Sequence, residues 1–115
     1  VALGQRASAL FATDRKVEDR LREIGEAVGD PVWPLPLWEE YEGDVKGTFG
    51  DVANSSKTRY GGAINGAMFL WQFIKDQSWV HLDIAPRMTA VEGEHLAKGA
   101  AGASVNLLVR FLESF

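Results

Sequence analysis

Trp79-Val80-His81-Leu82-Asp83-Ile84-Ala85 is the stretch that decides the architecture. Val80, Leu82 and Ile84 alternate with His81 and Asp83, so a strand puts three apolar side chains on one face and two polar ones on the other. Its apolar density suits a central place in a sheet. Pro86 follows, and proline fixes φ while offering no amide hydrogen to a ladder.

Upstream, residues 61–75 carry Ile64, Ala67, Met68, Trp71 and Ile74 on one helical face, with Phe69, Leu70 and Phe73 on the other. A helix apolar over most of its circumference belongs in a larger body or an interface. Further back, Val17, Leu21, Ile24 and Val28 recur at helical spacing over residues 14–28, with Thr13 placed to cap the start and Gly29 past the end. Glu18 and Arg22 make a favourable i,i+4 pair on the outside of that helix.

Between these helices runs Asp30-Pro31-Val32-Trp33-Pro34-Leu35-Pro36-Leu37-Trp38, whose three prolines deny both helix and central strand. The segment must cross the domain in extended form, and its two tryptophans and two leucines predict packing against a core. Residues 38–45 can form a short helix, and 51–62 are a loop. At the amino-terminal end, Val1-Ala2-Leu3 and Ser8-Ala9-Leu10-Phe11-Ala12 are extended apolar runs parted by Gly4, as in a chain cut inside a sheet. Beyond Pro86 an irregular stretch extends to Lys98. A final helix follows Gly102, with Val105, Leu108, Val109, Leu112 and Phe115 as its apolar stripe.

Composition narrows the classes. The 115 residues are 46% apolar and 24% charged, which matches a globular domain with its own core and leaves α/β and α+β both open. A net charge of −4 gives no basic footprint for nucleic acid. The absence of cysteine excludes disulfides, thiolate metal sites and cysteine nucleophiles, and fits a reducing cytoplasm. No apolar run is long enough to span a membrane, and no export signal opens the chain.

Several constellations invite chemical readings. His81, Asp83 and His95 could be drawn as a metal site, although a His and an Asp flanking a strand are more often hydrogen-bonded to each other or to backbone. Glu39, Glu40, Glu42 and Asp44 form an acidic cluster, which at the start of a short helix faces water and favours the dipole. Gly61-Gly62 and Gly99-Ala100-Ala101-Gly102 each precede a helix, where free amides can hold an anion with help from Lys57, Arg59 or Lys98; close backbone packing is the commoner use of such glycines. Asn54-Ser55-Ser56 matches a glycosylation acceptor only by accident in a chain without an export signal. Pro31 to Pro34 spells a Pro-x-x-Pro ligand, but such ligands are exposed. With two histidines and nothing to fix a nucleophile beside either, no Ser-His-Asp arrangement is persuasive.

Taken in order, these segments carry a resemblance. Ala2-Leu3-Gly4, Val32-Trp33-Pro34-Leu35-Pro36-Leu37-Trp38-Glu39-Glu40-Tyr41, Arg59 with Gly62-Ala63-Ile64 and Phe69-Leu70, the strand ending in His81-Leu82-Asp83-Ile84-Ala85, and Lys98-Gly99-Ala100 with Gly102 resemble the end of the catalytic domain of the leucyl aminopeptidase (cytosol aminopeptidase) family. The resemblance covers the whole of residues 1–115 with no internal boundary. It implies an α/β fold, part of a three-layer sandwich with a mixed central sheet flanked by helices. It also implies a cytoplasmic enzyme that releases amino-terminal, leucine-like residues from peptides, and a homo-hexamer.

Catalysis in such enzymes uses two divalent ions, zinc or manganese, that polarise the scissile carbonyl and activate a bridging water. Their Asn-Thr-Asp-Ala-Glu-Gly-Arg motif is not in this sequence, so no catalytic residue and no metal ligand is assigned here, and the 115-residue chain is expected to be inactive alone. The resemblance carries over three substrate-binding positions: Ala85 and Met88 on the wall of the pocket for the substrate's first side chain, and Ser55 as a further wall position that is commonly apolar. Two departures bear on them. Pro86 and Arg87 stand where relatives continue Ile-Ala-Gly, and Asn54-Ser55-Ser56 stands where Asn-Ile-Gly is common. A catalytically silent scaffold of the same ancestry is the alternative expectation, decided by what the coding sequence before Val1 specifies.

Overall fold

The computed structural model describes residues 3–45, 60–87 and 102–115. Three strands form one mixed sheet: β1 (Ser8–Ala12), β2 (Val32–Pro34) and β3 (Val80–Asp83), in the order β2-β1-β3. The first strand is therefore the central one among the described residues, and β3, expected at the centre, flanks it. Sequence alone could not assign this order, because β1 is as apolar as β3 and strand neighbours come from remote parts of the chain. The first turn includes Leu3, so the extended run expected at the amino terminus starts only at Ser8; Val1 and Ala2 lie outside the described residues.

Strand β1 pairs with β2 in parallel, Ser8 opposite Val32, and with β3 in antiparallel register, Ala9 opposite Asp83 and Ala12 opposite Val80. A parallel pair needs a long crossover, which helix α1 (Arg15–Val28) supplies. Its N-cap is Asp14, whose carboxylate accepts the Lys16 amide at 2.8 Å, and not Thr13. Thr13 is drawn off by β3: its Oγ1 accepts the Trp79 amide at 2.8 Å, extending the β1–β3 ladder by one side-chain link. Gly29 closes α1 at φ 73°, a left-handed conformation that side chains resist. Gly25 has a different reason, since a Cβ there would lie 2.8 Å from the Asp30 carbonyl oxygen, so only glycine lets the chain turn back so tightly into β2.

Pro34 sits at the outer strand, where its missing amide costs no ladder bond. The extended run then continues, with the Leu35 amide donating to the Leu10 carbonyl at 2.9 Å. Its leucines pack inward, as expected, but its tryptophans do not: Trp33 is 52% and Trp38 61% exposed. Each has a partner at the surface. The Arg22 guanidinium lies 4.6 Å over the Trp33 ring, and Trp38 stacks on Tyr41 at 6.0 Å.

A 3₁₀ turn at Glu39–Tyr41 runs into α2 (Glu42–Val45), the short helix expected at 38–45. Of the acidic cluster there, Glu39 and Glu40 are exposed, and Glu42 forms an ion pair with Lys75. Helix α3 (Gly62–Trp71) ends four residues earlier than its apolar pattern suggests, and α4 (Val105–Glu113) closes the chain.

Layering follows from the strand alternation. On one face Leu10 and Val32 pack with Leu21 and Ile24 of α1 and Leu107 of α4, joined by Val80 and Leu82. On the other, Ala9 and Phe11 meet Ala67 of α3, with Leu35, Leu37 and Trp79 around them. Helices thus cover both faces of a mixed sheet, the three-layer α/β arrangement.

Helix α4 overturns one expectation. Its buried residue is Leu107, backed by half-buried Phe111, whereas Val105, Leu108, Val109, Leu112 and Phe115 are exposed. Both rows are apolar at helical spacing, so periodicity alone could not choose between them. Of the glycines before the helices, Gly61 and Gly102 act through conformation, with φ of 63° and 66°; a Cβ at Gly61 or Gly62 would meet nothing within 4 Å, so close packing among the described residues is not the reason for either, and Gly99 lies outside the described residues.

Candidate functional site

The site is built where β3 ends. His81 and Asp83 point to the α3 side, because they lie directly opposite Phe11 and Ala9 in the register. Asp83 then turns its carboxylate along the chain, and Oδ1 accepts the Ala85 amide at 3.1 Å. This bond starts a single 3₁₀ turn, Ala85–Arg87, that the Arg87 amide closes by donating to the Ile84 carbonyl at 2.7 Å. Ala85 is exposed at the head of the turn. Of the three pocket positions inferred from resemblance it alone is described; Met88 and Ser55 lie outside the described residues, as do His95, Lys57, Arg59 and Lys98.

The far end of the turn is anchored by a residue that no sequence pattern singled out as functional. Arg87 sends Nη1 inward to donate to Ser8 Oγ at 2.9 Å and to Asp30 Oδ1 at 2.8 Å. The side chains of Arg87 and Asp30 are only 14% and 7% exposed, so this is a part-buried, charge-assisted pair. The second carboxylate oxygen of Asp30 accepts the Leu107 amide at 3.4 Å. Leu107 occupies the third position of α4, and Ser104, with φ 70°, makes no side-chain cap. Asp30 thus does for α4 what an N-cap residue ordinarily does, and its negative charge sits at the positive end of the helix. Four remote segments meet at one carboxylate and one guanidinium: the start of β1, the α1–β2 turn, the turn after β3 and the head of α4. The only local signal was Arg87 itself, as a departure from the family pattern. Asp30 lies 57 residues away and carries no signature.

His81 is stacked on Trp79 at 5.8 Å and tilted against Phe11 at 5.7 Å. Burial among these rings pushes its imidazole below the ordinary value of 6.5, and the Asp83 carboxylate opposes that shift only in part. A neutral ring between aromatic neighbours is a packing group. Among the described residues no three His, Cys, Asp or Glu side chains converge as a metal site would require, and no helix is long and apolar enough to cross a membrane.

A cleft of about 480 Å³ lies at the opposite end of β1, lined by Ala12, Thr13, Arg15, Leu37, Trp38 and Trp71. It is three register positions from the Ala9–Asp83 pair, about 10 Å along the strand, and does not include Ala85.

Comparison with known proteins places this geometry. The sequence model described as "Cytosol aminopeptidase family, catalytic domain" matches residues 1–109. A "Probable cytosol aminopeptidase" of Histophilus somni (strain 129Pt) is 46% identical over 112 residues, covering 97% of this chain and 22% of that protein. One of Geobacter sp. (strain M21), under the same name, is 40% identical over 113 residues, covering 97% and 23%. Among solved structures, the cytosol aminopeptidase of Coxiella burnetii superposes with a TM-score of 0.88 at 33% identity, over 99% of this chain and 25% of that one. The chain therefore spans about a quarter or less of the length of the proteins it matches.

Proposed function

Because the chain belongs to the cytosol aminopeptidase family, we propose that it is the carboxy-terminal part of the catalytic domain of a metal-dependent aminopeptidase, and that it supplies a wall of the pocket for the substrate's first side chain. The observation that carries this reading is the turn after β3. Ala85 is presented at the exposed head of a short turn whose backbone Asp83 and Ile84 hold in place. A small apolar side chain on a rigid turn can line a pocket for a leucine-like residue without filling it. Met88 and Ser55 complete the proposed wall.

The described residues do not fit the role of metal holder, since no ligand cluster is present among them. No step through the metal is derived from them. In this reading the two divalent ions, manganese or zinc, and the groups that act on the scissile bond come from other parts of the full-length protein. This segment orients the substrate, and the enzyme works on peptides in the cytoplasm as a homo-hexamer.

Burial of apolar area at about 25 cal/mol per Å² gives leucine an advantage over alanine of about 2 kcal/mol, roughly thirtyfold in kcat/KM. The test is hydrolysis of leucine and alanine p-nitroanilides by the full-length protein with added Mn²⁺ or Zn²⁺. Metal-dependent release favouring leucine is the expected result. No release of either by the full-length protein would assign the segment to a catalytically silent scaffold. Turnover by residues 1–115 alone would mean that the catalytic groups lie within this segment.

A further inference from the structure

We propose that Arg87 is a positioning residue for substrate selection: its guanidinium, held by Asp30 and Ser8, sets where the turn Ala85–Arg87 stands and so fixes the depth of the side-chain pocket. This rests on the reading of Ala85 as pocket wall.

The geometry separates this role from general support of the fold. The turn is one 3₁₀ turn long and has two kinds of anchor. Two anchors are local and hold backbone amides, Asp83 Oδ1 on the Ala85 amide at the head and Ile84 O on the Arg87 amide at the tail. The described anchor to the rest of the fold is the Arg87 side chain, which reaches across to the start of β1 and the α1–β2 turn. Both hydrogens of Nη1 are committed, one to each acceptor, so the two bonds together fix the direction in which the planar guanidinium lies.

The acceptors are themselves immobile. Ser8 is fully buried in the central strand, and Asp30 is tied to the α4 amide. Removing the guanidinium leaves the β1–β3 ladder and the turn's own local bonds intact while releasing the turn from the start of β1 and the α1–β2 turn. Ala85 is two residues away, so the wall shifts relative to whatever faces it. Such a shift weakens binding of a side chain that reaches the wall and spares one that does not.

The experiment uses the full-length protein, assayed with leucine and alanine p-nitroanilides, with Tm followed in parallel. For Arg87→Met the expected result is a fall of about fivefold or more in the leucine-to-alanine ratio of kcat/KM, carried mainly by KM for leucine, with kcat for alanine within about twofold of wild type. Arg87→Lys, which keeps a charge within reach of Asp30, restores part of the ratio. Equal loss on both substrates assigns Arg87 a purely structural role and overturns the proposal, as does an unchanged ratio. If Arg87→Met does not fold, Arg87→Lys and Ser8→Ala carry the test, each expected to lower the ratio less and in the same direction; no change in either overturns it. A wild-type protein inactive on both substrates refutes the aminopeptidase reading itself, a failure distinct from any selectivity result.

Discussion

Asp30 and Leu107 stand 77 positions apart, yet the carboxylate of one accepts the amide hydrogen of the other at 3.4 Å. The same carboxylate holds Arg87, so one side chain satisfies a part-buried cation and an otherwise uncapped helix. Replacing Asp30 with alanine leaves the α4 amide uncapped and the largely buried guanidinium with only the neutral Ser8 hydroxyl, and the expected cost is about 2–4 kcal/mol. Ser8→Ala removes one neutral acceptor and costs about 1 kcal/mol. Urea denaturation of the two variants checks the order, and a larger loss for Ser8→Ala would refute the account of Asp30.

Adjacent leucines in α4 test which face is inside. Leu107 is fully buried in the cluster with Leu10 and Leu21, whereas Leu108 is 42% exposed. Leu107→Ala is expected to destabilise by about 2–5 kcal/mol, and Leu108→Ala by less than about 1. Thermal denaturation of each variant distinguishes them; the reverse order would put the other stripe in the core.

Gly25 stands in a helix, where alanine is ordinarily the better residue by up to about 1 kcal/mol. Here the sign reverses, because the added Cβ would lie 2.8 Å from the Asp30 carbonyl oxygen, which is backbone and cannot swing away. Gly25→Ala is expected to cost about 1–3 kcal/mol. It also shifts Asp30, so the variant should lower leucine selectivity along with Tm. A stabilised Gly25→Ala protein would show that the helix end has room to move.

His81 gives stability a pH dependence of defined sign. Its folded pKa is lowered from 6.5 by burial, so between those two values the unfolded chain binds more protons than the folded one. Its contribution is complete above the unfolded value and is lost as pH falls through the folded one. Comparing Tm at about pH 7 and about pH 5 for wild type and His81→Gln isolates this, with the wild type expected to lose more. Parallel behaviour of the two would mean that the ring titrates alike in both states.

How much of this was legible in the sequence depends on the range of the interaction. Alternation in Val80–Asp83 predicted a strand with His81 and Asp83 on one face, and the register with Phe11 and Ala9 bears that out. Val17, Leu21, Ile24 and Val28 predicted α1, and Gly29 its end. These are local periodicities that one element's geometry dictates. The cap of α1 was missed by one residue, because Thr13 and Asp14 are both good caps and the choice belongs to Trp79, 66 residues downstream. The inward face of α4 and the placing of β1 at the centre were missed for the same reason: each depends on which partner arrives. Arg87, Asp30 and Ser8 form the most connected polar group described here, and no two of them are near in sequence.

Of these three strands the central one precedes both its neighbours in the chain, and its second neighbour comes late. Strand β2 and helix α1 can join β1 soon after synthesis, but Ala12 must wait for Val80, and at about 5–20 residues per second that interval is roughly 3–14 s. Throughout it, the β3 edge of a buried apolar strand stands without its own partner. The nascent chain's exposure to chaperones and to wrong partners is therefore timed by the order of strands in the sheet, with β3 the segment whose emergence ends it.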